Sequence, residues 1–189
     1  KTAYEIMPSL VGSEMCIRDR YRALRDACRQ DTRLSAIIEL LLQTGMRIGE
    51  LARLTIDNID LKKNLIKIAP YQSQPGREVP LNNPAKQALK KYLEVRPKSG
   101  TKTLFLTKTG KPFLVRNIRS AVNRYFKIAG IKKARVNDLR HTFIVQQLKS
   151  GVPLVTVSKI VGHKRLSTTE KYLQLVEEKA EERVKLEEL

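Results

Sequence analysis

Apolar residues crowd the stretch from Leu34 to Gln43, where Ile37, Ile38, Leu40, Leu41 and Leu42 fill half the positions. That density predicts a helix buried on most sides. Gly45 follows as a helix-stop signal. From Arg47 to Leu54 the apolar set thins to Ile48, Leu51 and Leu54, one face of a second helix. Residues 65–69 and 77–81 read as two short strands, with Pro70, Pro75 and Gly76 marking the turn between them. Pro84 opens a helix to about Val95, with Ala85, Leu89 and Leu93 at spacing four. Residues 103–106, Thr-Leu-Phe-Leu, fit a short strand ahead of a turn at Lys108-Thr-Gly-Lys111. Further helices are predicted at 115–128, 137–150, 153–161 and 167–175. Asn137 and Ser167 are good N-cap types for two of them. Beyond Tyr172, the positions Leu173, Val176, Ala180 and Val184 continue at spacing three or four, an amphipathic helix with a Glu-rich face. The pattern predicts a mainly α domain with a small antiparallel β-sheet, an α+β fold.

The first residues follow no such pattern. Residues 5–18 show neither a clean helical period nor strand alternation. Residues 1–20 are therefore read as a non-native or linker segment, 21–175 as the domain, and 176–189 as an acidic C-terminal helix.

Charge narrows the partner. The formal net charge is +18. Residues 173–189 hold six Glu against Lys179, Arg183 and Lys185, a local −3, so the remainder carries +21. Such a field attracts polyanions, double-stranded DNA or RNA first and an anionic membrane surface second. No run approaches the roughly 18 apolar residues of a membrane span. Two cysteines, Cys16 and Cys28, without a CxxC or a Cys/His cluster, point to a reducing, cytoplasmic setting and to no metal or other cofactor.

Three separated segments carry candidate chemistry. They are Thr44-Gly-Met-Arg-Ile-Gly-Glu-Leu51, Asp138-Leu-Arg-His-Thr-Phe143, and Gly162-His163 followed nine residues on by Tyr172. In this order and spacing, over about residues 31–175, they resemble the tyrosine recombinase, or phage integrase, family, including the Xer-type resolvases. The resemblance implies that family's catalytic-domain fold. It also implies site-specific DNA recombination through a transient 3′-phosphotyrosine on Tyr172, independent of metal and ATP. Phosphoryl transfer builds negative charge on the equatorial oxygens. Preorganised cations must neutralise it, and an arginine fork suits two oxygens at once. By resemblance Arg47 and Arg140 clamp the phosphate, and His163 donates a hydrogen bond or moves a proton. Glu50 and His141 support the site. By resemblance the C-terminal helix joins protomers into a homo-tetramer on DNA; the alternative is a helix folded on its own domain.

Two positions depart from the family pattern. A hairpin lysine is expected before Val79-Pro80-Leu81, but the slot falls on Tyr71 or Gln72. Lys67 on the preceding strand is the nearest candidate general acid, and Arg77 is charged but a bad acid. The box that usually opens with His begins with Asn137, which can donate a hydrogen bond but cannot exchange a proton. These departures keep open an alternative: a recombinase-derived DNA-binding module with weak or no cleavage. A relaxing enzyme of the type IB topoisomerase kind shares the same site logic.

Overall fold

The computed structural model describes residues 17–71 and 75–181. Helix α1 spans Ile17–Cys28 and overlaps the last residues of the segment set apart by sequence, with Arg20 buried. Helix α2, Thr32–Thr44, starts at Asp31, whose carboxylate accepts the Leu34 N–H at 3.0 Å. It buries residues on every side, as its apolar density predicts, and packs against five other helices. Helix α3, Ile48–Arg53, follows at once. The sheet comprises β1 (Ile59–Asp60), β2 (Leu65–Ile68) and β3 (Arg77–Pro80), antiparallel in that order. Ile66 and Val79 pair directly and face the core. β1 is too short to leave a sequence signal.

Asn82 caps helix α4, Asn83–Val95, by accepting the Ala85 N–H at 3.3 Å. The strand expected at 103–106 forms only two isolated bridges, Thr55 to Thr103 and Leu106 to Pro112. Side chains have taken ladder hydrogen bonds there. The Tyr92 hydroxyl donates to the Leu104 carbonyl and accepts from the Leu106 N–H, while Arg96 donates to the carbonyls of Thr101, Thr103 and Leu104. Leu104, Phe105 and Leu106 are all fully buried, so the segment acts as a core plug.

Four more helices follow among the described residues: α5 (Val115–Ile128), α6 (Val136–Lys149), α7 (Leu154–Val161) and α8 (Ser167–Glu181). α6 starts one residue earlier than expected. Asn137 is exposed inside its first turn rather than capping it; Asp138 reaches back to accept the Arg135 N–H at 2.7 Å. Ser167 is likewise the first helical residue rather than the cap. α8 crosses residue 175 without a break. Two apolar clusters result. The larger lies between α1–α5 and the sheet; the smaller gathers Phe143, Ile144, Val157, Val161 and Tyr172 from α6, α7 and α8. Among the described residues, no helix is long and apolar enough to cross a membrane.

Candidate active site

The three segments meet where α3, α6 and α7 end or begin. Two glycines permit the approach. Gly45 closes α2 at φ +61°, and a Cβ there would stand 2.4 Å from the Phe143 ring. α6 therefore lies close enough for Arg140 Nη1 to donate to the Gly45 carbonyl at 2.6 Å. Gly162 closes α7 at φ +70°, and a Cβ there would meet the Arg77 guanidinium at 2.8 Å. Its carbonyl accepts from both Nη1 and Nη2 of Arg47 at 3.3 Å. Only a residue at ease with positive φ fits either corner.

Arg140 is the least satisfied group in the cluster. It is 8 % exposed, and its Nη2 is buried with no hydrogen-bond partner. Burial, then the charge of Arg47 and that of Arg77, push its pKa down to about 9. The guanidinium still carries its charge at neutral pH. A buried cation with an unsatisfied donor can take up an anion with little reorganisation.

Glu50 is 3 % exposed. Burial opposes its ionisation, yet its partners hold it below the ordinary carboxylate value: the Arg77 fork first, then the Arg47 N–H and the charges of both arginines. Arg77 Nη1 and Nη2 donate to its two oxygens at 2.8 and 2.9 Å, and the Arg47 N–H donates at 2.7 Å. The Arg47 guanidinium is held more loosely, at 3.4 Å from Glu50. Glu50 thus fixes the Arg47 backbone and leaves much of its side chain for a ligand.

His163 Nδ1 shares a hydrogen bond with the Thr169 hydroxyl at 2.7 Å. Burial and the nearby Arg140, Arg47, His141 and Arg77 lower its pKa to about 4, so the free protein holds it neutral at pH 7. Tyr172 is 5 % exposed and its ring lies near two imidazoles, with centroids 5.7 Å from His141 and 6.3 Å from His163. Its hydroxyl meets His141 Nδ1 at 2.6 Å. Burial raises the phenol above its ordinary value, and Arg140 pulls it back.

The structure therefore brings together Arg47, Glu50, Arg140, His141, His163 and Tyr172. It does not bring in Lys67, an exposed residue of β2 that pairs with Glu78 across the sheet at 3.8 Å. Asn137 is exposed at the start of α6, one turn before Arg140. Gln72 lies outside the described residues, and Tyr71 packs on α3 beneath Arg53, 3.8 Å from the Arg53 Cζ to the ring centroid. Among the described residues, no group of three His, Cys, Asp or Glu is placed to hold a metal ion.

Sequence reasoning missed the structural part that Arg77 plays. Its signal was available: Arg77 sits two residues before buried Val79 and so shares the inward face of β3. An inward arginine needs an acidic partner. Thr169, fully buried beside His163, left no such signal.

This architecture is that of a tyrosine recombinase catalytic domain. It superposes on the crystal structure of XerA recombinase with a TM-score of 0.80, covering 91% of this chain and 65% of that one at 28% identity. The fold also matches XerH bound to palindromic difH substrate in a post-cleavage complex, with a TM-score of 0.76 over 92% of this chain and 53% of that one at 21% identity. Residues 17–179 match the phage integrase family, and the chain belongs to that family. It is 36% identical over 146 residues to tyrosine recombinase XerC of Thermodesulfovibrio yellowstonii, covering 72% of this chain and 48% of that protein. Against XerC of Lactobacillus leichmannii the identity is 35% over 158 residues, covering 80% and 53%. The chain spans about half the length of these relatives.

Proposed function

We propose that this chain breaks and rejoins double-stranded DNA at specific sites through a transient 3′-phosphotyrosine on Tyr172. The observation that carries the reading is the meeting of the Tyr172 hydroxyl and its histidines with a buried, unpaired arginine nitrogen at Arg140. A scissile phosphate seated there satisfies Nη2 of Arg140 and draws the Arg47 fork onto its oxygens. His163, neutral in the free protein, gains a negative neighbour and becomes a better proton carrier. Tyr172 attacks phosphorus, the bond to the 5′-oxygen breaks, and the phosphotyrosine keeps the energy needed for resealing.

The alternative of a pure DNA-binding module is not favoured. It rests on Asn137 and the hairpin slot, whereas Arg47, Arg140, His163 and Tyr172 are all present and gathered. The family setting supports a DNA partner, an intracellular place of action in the cytoplasm, and assembly of a homo-tetramer on DNA through the C-terminal helix. Leu173 and Val176 of α8 pack on the chain's own smaller cluster.

The test is covalent capture. A duplex library with a nicked, randomised core is incubated with the chain, denatured and resolved on a gel, and captured DNA is sequenced. The expected result is an adduct on a restricted set of sequences that disappears in Tyr172→Phe while DNA affinity changes little. Adduct formed by the Phe variant overturns the assignment of the nucleophile; no adduct by the wild type favours the binding module.

A further inference from the structure

The proposed reaction needs a group to take the Tyr172 proton, and the family's box leaves Asn137 where a histidine usually stands. Asn137 cannot take it, being an amide and exposed. One group does touch the phenol. His141 Nδ1 lies 2.6 Å from the Tyr172 oxygen, hydrogen-bond distance for proton transfer. The contact joins α6 to α8 across 31 residues of sequence, inside the cluster that also buries the tyrosine ring.

We infer that His141 is the general base of strand cleavage: its Nδ1 receives the Tyr172 proton as the phenolic oxygen bonds to phosphorus. This rests on the reading of Tyr172 as nucleophile. The balance is simple. The Oη–P bond forms and the bond from phosphorus to the 5′-oxygen breaks. The phenolic proton passes to His141 Nδ1, and the departing 5′-oxygen takes a proton from water. On resealing the 5′-hydroxyl attacks, Tyr172 leaves, and the imidazolium returns its proton to the phenol.

The surroundings suit the task. Burial holds the imidazole below its ordinary value, so it is neutral and ready to accept at pH 7. Asp138 stands one helical turn earlier on α6, is buried, and its charge favours the imidazolium once formed; Arg140 opposes it. The remaining titratable groups at the imidazole are Tyr172 itself on α8 and His163 at the end of α7.

Two measurements test this. The first needs no DNA and stands whether or not Tyr172 cleaves. Nitrogen-15 NMR of the histidines in the free chain is expected to show His141 Nδ1 as the unprotonated, acceptor nitrogen at pH 7, with the proton on Nε2. A proton resident on Nδ1 makes His141 a donor to the phenol and overturns the inference. The second uses Asn at 141, whose side chain accepts the same hydrogen bond but cannot take the proton. In His141→Asn, adduct formation is expected to slow by about 100-fold or more, the scale of a lost general base. The limb of the pH–rate profile below neutrality should vanish, and a stronger external base such as imidazole should restore part of the rate. A merely positioning histidine predicts an Asn variant close to wild type with its pH profile intact, and that result also overturns the proposal. Absence of adduct from the wild type instead overturns the nucleophile reading, and with it the reaction that His141 is inferred to serve.

Discussion

A single nitrogen, Nη2 of Arg140, carries the largest unmet demand in the site. It is sealed from water and lacks a partner, while Nη1 is committed to the Gly45 carbonyl. Neighbouring Arg47 and Arg77 add like charge. In the free protein this arrangement costs stability, which a phosphate bound in the proposed reaction offsets in the transition state. Arg140→Met keeps most of the volume and removes the charge. The free chain is then expected to gain about 1 kcal/mol in urea unfolding, the usual scale when a strained functional group is relaxed. Adduct formation should disappear in the same variant. Destabilisation instead of gain would mean that the Gly45 hydrogen bond outweighs the desolvated charge.

Arg77 works between elements. Its guanidinium binds Glu50 of α3 with both Nη atoms, and its Nε donates to the Ile160 carbonyl of α7 at 2.7 Å. It therefore locks β3, α3 and α7 together, and α7 ends at Gly162 and His163. Removing it strands Glu50, a nearly inaccessible carboxylate, beside a loosely held Arg47. Arg77→Ala is expected to destabilise by about 3 kcal/mol, the low end for breaking a buried ion pair. Glu50→Gln in that background should recover part of the loss, since the uncompensated charge is gone. Urea unfolding of the two single variants and the double closes the cycle, and strictly additive effects would deny the coupling. Much of this element layout was legible in the chain. The dense apolar run at 37–42 becomes the central α2, and Pro84 with its spacing-four residues becomes α4. The motif residues Arg47, Arg140, His163 and Tyr172 gather as their order implied. What failed depended on tertiary partners. Residues 103–106 have strand composition, but Tyr92, Arg96 and Arg33 claim backbone groups there from other segments. Asn137 is a good cap type, yet Asp138 takes the capping role by reaching back to Arg135. The Arg77–Glu50 pair joins residues 27 apart, and periodicity names a buried arginine without naming its partner.

At the scale of the whole molecule the charge separates two jobs. The body outside the tail carries most of 37 basic residues, and most of those in the helices and hairpin are exposed. Arg47 and Arg140 are different: the carbonyls of Gly162 and Gly45 and the Glu50 carboxylate hold them, and in the proposed reaction they take one phosphate. Affinity for duplex DNA should therefore come from the surface, and chemistry from the site. Each phosphate neutralised by the surface releases counterions, so binding should weaken steeply with salt. A footprint of about six phosphates implies a loss near 10³ between 50 and 200 mM salt. Measured with Tyr172→Phe, which prevents covalent trapping, the plot of log affinity against log salt should be a steep straight line. Arg140→Met should lower its slope by about 1 at most, because one phosphate contact is removed. Exposed pairs of lysines changed together, such as Lys62 and Lys63, should lower it further if they lie in the footprint while leaving cleavage of saturated DNA unchanged. A slope near zero would mean that the positive field is not what holds the ligand. A slope that collapses with Arg140 alone would mean that binding and chemistry share the same few arginines, and the division between surface and site would fall.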